Sequence, residues 1–216
     1  MKITFTEKIA AEFLGTGLLL AIVTGSGIMG ETMSAGNAAV ALLGNSIATG
    51  CGLFVLITLL AAVSGAHFNP AVSLMSWRAG ALEFKTLLAY IAAQFFGAIA
   101  GVWVTHFIFG LSILQISIKP RSGAGIWLSE FLATLILLSV IHLGIKYAKD
   151  KVPMLVAMTV TAGYWFTSST FFANPAVTLA RGLTNTFVGI APVDITGFML
   201  AQLAAVLCIT ILFKSD

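Results

Sequence analysis

Charged residues are scarce in this chain. Only 9% of its 216 residues are charged, against about 25% in a typical soluble domain. Hydrophobic residues make up 59% of the chain, and the mean hydropathy is +1.03. This composition excludes an ordinary soluble domain and predicts an integral membrane protein with several spanning helices. The length suits six spans with short loops and leaves no room for an added soluble domain.

Residues that carry chemistry are scarce as well. Cys51 and Cys208 both lie in apolar stretches, which favours a packing role over a disulfide or a metal site. No Ser–His–Asp set, metal-ligand cluster or phosphate-binding loop is evident, so we expect no enzyme and no cofactor. The net charge of +3 arises from residues scattered among loops, which predicts no nucleic-acid partner. A cleavable signal peptide is not evident, so we expect the first span to target the chain.

What the chain does contain is one tripeptide used twice, as Asn69-Pro70-Ala71 and Asn174-Pro175-Ala176. Asn is a favoured helix N-cap, and Pro is favoured at the first helical position. Each triplet therefore predicts the start of a helix. Neither helix is long enough to cross a bilayer before Arg78 or Arg181 follows. Two capped half-helices in an apolar chain are typical of broken helices that meet at the membrane midplane.

The remaining apolar stretches predict an all-α membrane protein with an internal repeat. We expect six transmembrane helices at about 9–29, 38–63, 85–109, 126–145, 153–166 and 193–213, with re-entrant half-helices at 70–77 and 175–183. The segment 11–16 is echoed by 129–134, and Gln94 by Gln202. Each copy has three spans, so the second copy should be inverted relative to the first. A single domain, 1–216, would then consist of repeats 1–115 and 116–216.

The distribution of Lys and Arg predicts the orientation in the membrane. One side collects eight of them, and the other side three. The first group is Lys2, Lys8, Arg78, Lys85, Lys146, Lys149, Lys151 and Lys214, and the second is Lys119, Arg121 and Arg181. Positive charge concentrates on the cytoplasmic side, so we expect both termini in the cytoplasm and the protein in the inner or plasma membrane.

Three segments together resemble the aquaporin and aquaglyceroporin family, and the resemblance covers the whole chain. They are Ala-Glu-Phe-Leu-Gly-Thr at 11–16, the run 64–72 around the first tripeptide, and the second tripeptide at 174–176. The resemblance implies an aquaporin-like fold, a pore in each protomer of a homotetramer, and passive passage of water or small uncharged solutes. It also implies that the amides of Asn69 and Asn174 donate hydrogen bonds to the solute at the middle of the pore.

The narrowest part of the pore departs from the pattern of the family. Where the family usually has Arg after the second tripeptide, this chain has Val177, and the run 174–181 is similar to a bacterial branch associated with arsenic-resistance genes. The resemblance places the selectivity filter at Thr49, Ala162 or Gly163, Phe171 or Phe172, and Val177. We therefore expect a wide filter without a cation. Arg181 is predicted either in the outer vestibule or bound to loop carbonyls.

Three further polar residues have predicted roles. Glu12 and Glu130 are acids in apolar spans at equivalent places of the two repeats. We interpret them as structural supports for the re-entrant segments, with a proton relay as the alternative. His67 is interpreted as a buried, hydrogen-bonded residue at the pore mouth, with a pH gate as the alternative.

The favoured function is a passive channel for small uncharged solutes. We expect glycerol-like polyols, neutral metalloid acids such as arsenite, and water to pass, with methylated arsenicals as further candidates. A water-selective aquaporin is the first alternative, and Val177 and Thr49 argue against it. A secondary transporter is the alternative of another class, because inverted repeats also suit alternating access.

Overall fold

A computed structural model describes residues 3–213 of the chain. Within this range the fold is entirely helical, as predicted, with eight α-helices and one 3₁₀ turn at Lys149–Lys151. The helices are α1 (Phe5–Met33), α2 (Ala38–Ser64), α3 (Pro70–Arg78), α4 (Phe84–Ile108), α5 (Ala124–Tyr147), α6 (Val152–Phe166), α7 (Pro175–Arg181) and α8 (Pro192–Leu212). Lys2 and Lys214, counted above for the orientation, lie outside the described residues.

Five of these helices are long and apolar enough to cross a bilayer: α1, α2, α4, α5 and α8. The sixth predicted span corresponds to α6, which has only 15 residues. At 1.5 Å per residue α6 is about 22 Å long, and the 3₁₀ turn lies directly before it. The protein is thus a multi-pass membrane protein.

The two half-helices begin where the sequence predicts. Asn69 and Asn174 are extended N-cap residues, and Pro follows each of them as the first helical residue. The side-chain oxygen of Asn69 accepts from the backbone N–H of Ala71 at 2.8 Å, and that of Asn174 accepts from Ala176 at 2.9 Å. Both half-helices pack against α4 and α8. The fold therefore holds two short helices with their N-termini inside the bundle.

Glycine lets the long helices approach each other closely. A Cβ atom at Gly101 would lie 2.1 Å from the carbonyl oxygen of Gly17, and one at Gly97 would lie 2.3 Å from that of Phe13. The backbones of α1 and α4 are therefore in direct contact, as small residues allow between membrane helices. This close packing fixes α1 and α4, which carry Glu12 and Gln94.

Candidate functional site: a cavity between the half-helices

A cavity of about 800 Å³ lies between the helices. Both tripeptide asparagines line it. Ala79 and Ala81, which follow α3, also line it, and so does Arg181, the last residue of α7. We call the two ends of the cavity the α3 end and the α7 end. The cavity therefore extends to both sides of the point where the half-helices meet.

The two asparagines join the re-entrant segments to each other. The Nδ2 atom of Asn69 donates to the carbonyl oxygen of Ala173 at 2.7 Å, and that of Asn174 donates to the carbonyl oxygen of Phe68 at 2.8 Å. Each asparagine is 4% exposed. Since an amide carries two N–H donors, each side chain has a second donor beyond this cross-link.

The backbone before each half-helix takes the same unusual conformation. Ala66 and Phe68 have φ of 49° each, and Phe171 and Ala173 have φ of 54° and 48°. These residues lie three and one positions before the respective Asn. Positive φ at a residue other than glycine costs about 1–3 kcal/mol, so surrounding contacts must hold both segments in place.

Glu12 holds the first segment. Its Oε1 accepts from the Ser64 hydroxyl at 2.6 Å and the His67 N–H at 2.9 Å. Its Oε2 accepts from the Phe68 N–H at 2.7 Å and from Gln94 Nε2 at 2.8 Å. Glu12 is fully buried. The carboxylate therefore satisfies backbone donors that would otherwise be unpaired inside the membrane.

Glu130 takes the corresponding place in the second segment. Its Oε1 accepts from the Ala173 N–H at 2.5 Å and from Gln202 Nε2 at 2.7 Å. Gln202 also donates to the hydroxyl of Thr178 at 2.8 Å. These contacts repeat part of those of Glu12, because Glu130 binds one backbone N–H of its segment and its Oε2 has no hydrogen-bond partner among the described residues. They support the predicted structural role. The repeat boundary at 115/116 stays a prediction.

His67 lies on the cavity wall next to the first segment. Its Nδ1 is 3.0 Å from the hydroxyl of Ser73. Its ring meets that of Tyr90 edge-on, with centroids 5.4 Å apart. The imidazole is thus partly buried and hydrogen-bonded at the cavity wall. Its role at the pore mouth stays a prediction.

Four of the predicted filter residues line the cavity: Thr49, Phe171, Phe172 and Val177. Ala162 and Gly163 do not, and this corrects the expectation of a small residue on α6. Ala162 is exposed on the outer surface of the bundle. Gly163 is buried against Phe171, since an added Cβ would lie 2.1 Å from the ring.

Near Thr49, the residue of α6 that lines the cavity is Tyr164. Val156 and Val160 line it too, so the residues that face the cavity recur at intervals of four, as one side of a helix does. The hydroxyl of Tyr164 lies 3.2 Å from that of Thr49. The filter region therefore has an aromatic ring where a small residue was expected, and it is narrower than the sequence suggested.

Arg181 also differs in part from its prediction. It is 2% exposed, so it is buried and does not extend into an open vestibule. Its Nε donates to the carbonyl oxygen of Val188, and its Cζ lies 3.4 Å from the centroid of the Phe172 ring. Arg181 is therefore bound to a loop carbonyl, as the second of its two predicted settings has it. It also lines the cavity.

A second arginine at the α7 end was missed by the sequence analysis. Arg121 Nε donates to the carbonyl oxygen of Gly189 at 2.9 Å, and its Cζ lies 5.2 Å from the centroid of the Phe172 ring. The carboxylate of Asp194 accepts from the backbone N–H of Arg121 at 2.6 Å. The only signal in the sequence was a positive charge in the longest loop, which does not show where that loop packs.

We expect Tyr164→Ala to widen the filter because the ring occupies its wall. Erythritol flux relative to glycerol flux should rise about threefold, which corresponds to a barrier change of about 0.7 kcal/mol. Stopped-flow swelling of proteoliposomes measures the ratio. Ala162→Leu is the matched control on the outer surface and should leave the ratio unchanged. The opposite result, in which Ala162→Leu changes the ratio and Tyr164→Ala does not, would show that Ala162 is the filter residue of α6, as the sequence predicted.

Comparisons with known proteins agree with this arrangement. The family model described as "Major intrinsic protein" matches residues 1–168. The chain is 50% identical over 209 residues to "Aquaglyceroporin AqpS" of Rhizobium meliloti (strain 1021), covering 97% of this chain and 89% of that protein. It is 39% identical over 105 residues to "Glycerol uptake facilitator protein" of Pseudomonas aeruginosa, covering 49% of this chain and 37% of that protein.

A solved structure supports the fold. The aquaglyceroporin from Plasmodium falciparum superposes with a TM-score of 0.72 at 20% identity, covering 94% of this chain and 95% of the other. At this identity the likeness concerns the fold alone. Together with the family match and the 50% identical relative, it shows that the chain belongs to the major intrinsic protein family.

Proposed function

We propose that the protein is a passive channel for small uncharged solutes, namely glycerol-like polyols, neutral metalloid acids such as arsenite, and water. The observation that carries this proposal is the cavity that passes both tripeptide asparagines and extends beyond them in both directions. Relatives whose names are aquaglyceroporin and glycerol uptake facilitator support it. Methylated arsenicals are further candidates.

The cavity offers a solute both apolar and polar contacts. Val160, Val177 and Phe172 supply apolar wall, while Asn69 and Asn174 each keep one N–H donor for a solute oxygen. The N-termini of α3 and α7 meet there, so the partial positive charges of two helix dipoles disfavour a cation. A cation between the asparagines would also lose its hydration shell without receiving an acidic partner. Neutral, hydroxyl-bearing solutes therefore fit best.

The two alternatives are less well supported. A water-selective pore would need a filter closed to glycerol, and Val177 offers neither bulk nor a donor there. A secondary transporter would need an acid free to bind a coupling ion. The carboxylate of Glu12 accepts four hydrogen bonds from its surroundings. Glu130 accepts two through Oε1 and its Oε2 has no partner within residues 3–213, but neither acid is among the residues that line the cavity.

We further propose the orientation and the assembly. The α3 end of the cavity is bordered by Lys146 and Lys149, which suits the cytoplasmic face because positive charge concentrates there. Both termini then lie in the cytoplasm of a cell whose plasma or inner membrane holds the protein. Family membership suggests a homotetramer with one pore in each protomer.

Proteoliposome flux tests the proposed function. Stopped-flow swelling with water, glycerol, urea and arsenite should show flux that increases linearly with solute concentration and needs no ion gradient. Protein-free vesicles of the same lipid supply the baseline. Saturable flux that requires a proton or sodium gradient would favour the transporter, and water flux without glycerol flux would favour the water-selective pore.

A further inference from the structure

Two guanidinium groups lie close to one aromatic ring, Phe172, which lines the α7 end of the cavity. Arg181 and Arg121 lie with Cζ 3.4 Å and 5.2 Å from the centroid of Phe172. Both distances fall within the range of a cation–π interaction. Arg181 is buried and Arg121 is partly buried. Buried arginines are normally paired with an acidic side chain. The question is therefore which negative group balances Arg181 and Arg121.

Neither guanidinium has a carboxylate partner. In the range 3–213 the one salt bridge is that between Lys119 and Glu31. Two buried carboxylates of the second repeat bond other groups. Glu130 accepts from Ala173 and Gln202 through Oε1, while its Oε2 has no hydrogen-bond partner in the described part of the chain, and Asp194 accepts from the backbone N–H of Arg121. The two positive charges are therefore held by carbonyl oxygens, the hydroxyl of Thr170 and an aromatic ring, with no side-chain anion of that range in salt-bridge contact.

Arg181 directs unused donors into the cavity. Its Nε is engaged by Val188, but no acceptor among the described residues bonds its two terminal nitrogens, which carry four N–H donors. Arg181 is 98% covered by its surroundings and lines the cavity. Its terminal nitrogens are not among the fully covered polar atoms that lack a partner. They therefore face the cavity, whose lining also includes Tyr164 and Thr49.

We propose that the α7 end of the cavity is a binding site for a small monovalent oxyanion of the carboxylate class, with the terminal nitrogens of Arg181 as its principal donors. A guanidinium presents parallel N–H groups that match the two oxygens of a carboxylate. Arg121 does not line the cavity, but its Cζ lies 5.2 Å from the centroid of Phe172 and adds a second positive charge nearby. The oxyanion supplies the counter-charge that the protein does not.

Binding there has a consequence for transport. The Arg181 side chain and Val177 lie one helical turn apart on α7, and both line the cavity. A bound carboxylate therefore occupies the solute path next to the filter and slows the passage of neutral solutes. This consequence rests on the proposed channel function, whereas the binding itself does not.

Binding is measured first, on the detergent-solubilised full chain without any flux assay. Saturation-transfer NMR of the acetate methyl group reports contact with the protein, and acetamide is the neutral isostere. We expect a signal for acetate several times that for acetamide in the parent protein. Arg181→Gln should remove the difference. Arg78→Gln, at the exposed end of α3, should keep it.

Flux is measured second, with acetate at equal concentration on both sides of the vesicle and chloride as the control for ionic strength. Glycerol flux of the parent protein should fall by about half at an acetate concentration equal to its Kd, as mass action requires. Glycerol flux without acetate tests the proposed function separately. If Arg181→Gln does not fold, Arg181→Lys takes its place. Lysine keeps the positive charge but lacks the planar guanidinium with its parallel N–H groups. Acetate binding to Arg181→Lys should therefore be several-fold weaker than to the parent protein.

Two results would overturn the inference. The first is an acetate signal in the parent protein no stronger than that of acetamide. The second is acetate binding that persists unchanged in a folded Arg181 variant, which would place the anion elsewhere, for example at the basic α3 end.

Discussion

Glu12→Ala should leave little folded protein in the membrane. The substitution removes the acceptor for the N–H groups of His67 and Phe68, the hydroxyl of Ser64 and the amide of Gln94. Each buried donor left unpaired costs about 1–3 kcal/mol. The summed loss approaches the whole stability of a typical protein, about 5–15 kcal/mol. The first re-entrant segment, with its two residues at positive φ, would no longer be held.

The folded fraction of purified protein measures this effect, by detergent size exclusion and thermal unfolding. Glu12→Gln should be intermediate, because one amide oxygen replaces two carboxylate oxygens. Glu31→Ala is the control on the same helix, since Glu31 is exposed and its pair with Lys119 contributes at most about 1 kcal/mol. A Glu12→Ala protein that unfolds at the parent temperature would show that other contacts hold the segment.

The features that could be predicted from the sequence rest on local signals. Asn followed by Pro specifies a helix start within two residues, and both half-helices begin at Pro70 and Pro175 as expected. An acid in an apolar span needs a buried hydrogen-bond partner. The equivalent positions of Glu12 and Glu130 in the two repeats indicated that Glu12 supports the backbone of the first re-entrant segment. In these cases the local sequence is enough to predict both the residue and the kind of group that it binds, without knowledge of the rest of the fold.

The misplaced residues depend instead on long-range packing. Helix α6 is apolar on nearly all sides, so its sequence does not show whether Ala162, Gly163 or Tyr164 faces the cavity. The rotation of α6 is fixed by Phe171, whose ring fills the space beside Gly163. Arg121 is brought to the α7 end by a loop that contacts the segment after α7, where Ala191 donates to the carbonyl of Lys119 at 2.7 Å.

Val177→Arg should convert the proposed channel into one that passes water far better than glycerol. Val177 lines the cavity and is 6% exposed. An arginine here would extend into a space already bounded by Tyr164 and Phe172, and would add a third guanidinium near Arg181. We expect glycerol and arsenite flux to fall at least about tenfold, which corresponds to an added barrier of about 1.4 kcal/mol. Water flux should fall much less, because water needs the smallest opening.

Controls separate bulk from charge in this experiment. Val177→Met adds length without charge or donors, so it should reduce glycerol flux less than Val177→Arg does. Val72→Met is the matched change after the first tripeptide and tests whether any larger side chain beside the asparagines has the same effect. If Val177 instead packs against a neighbouring helix, Val177→Arg would impair folding or reduce all fluxes in proportion. A folded, membrane-inserted Val177→Arg protein that passes glycerol as well as the parent would contradict the filter assignment, because a guanidinium added at the filter should obstruct a polyol.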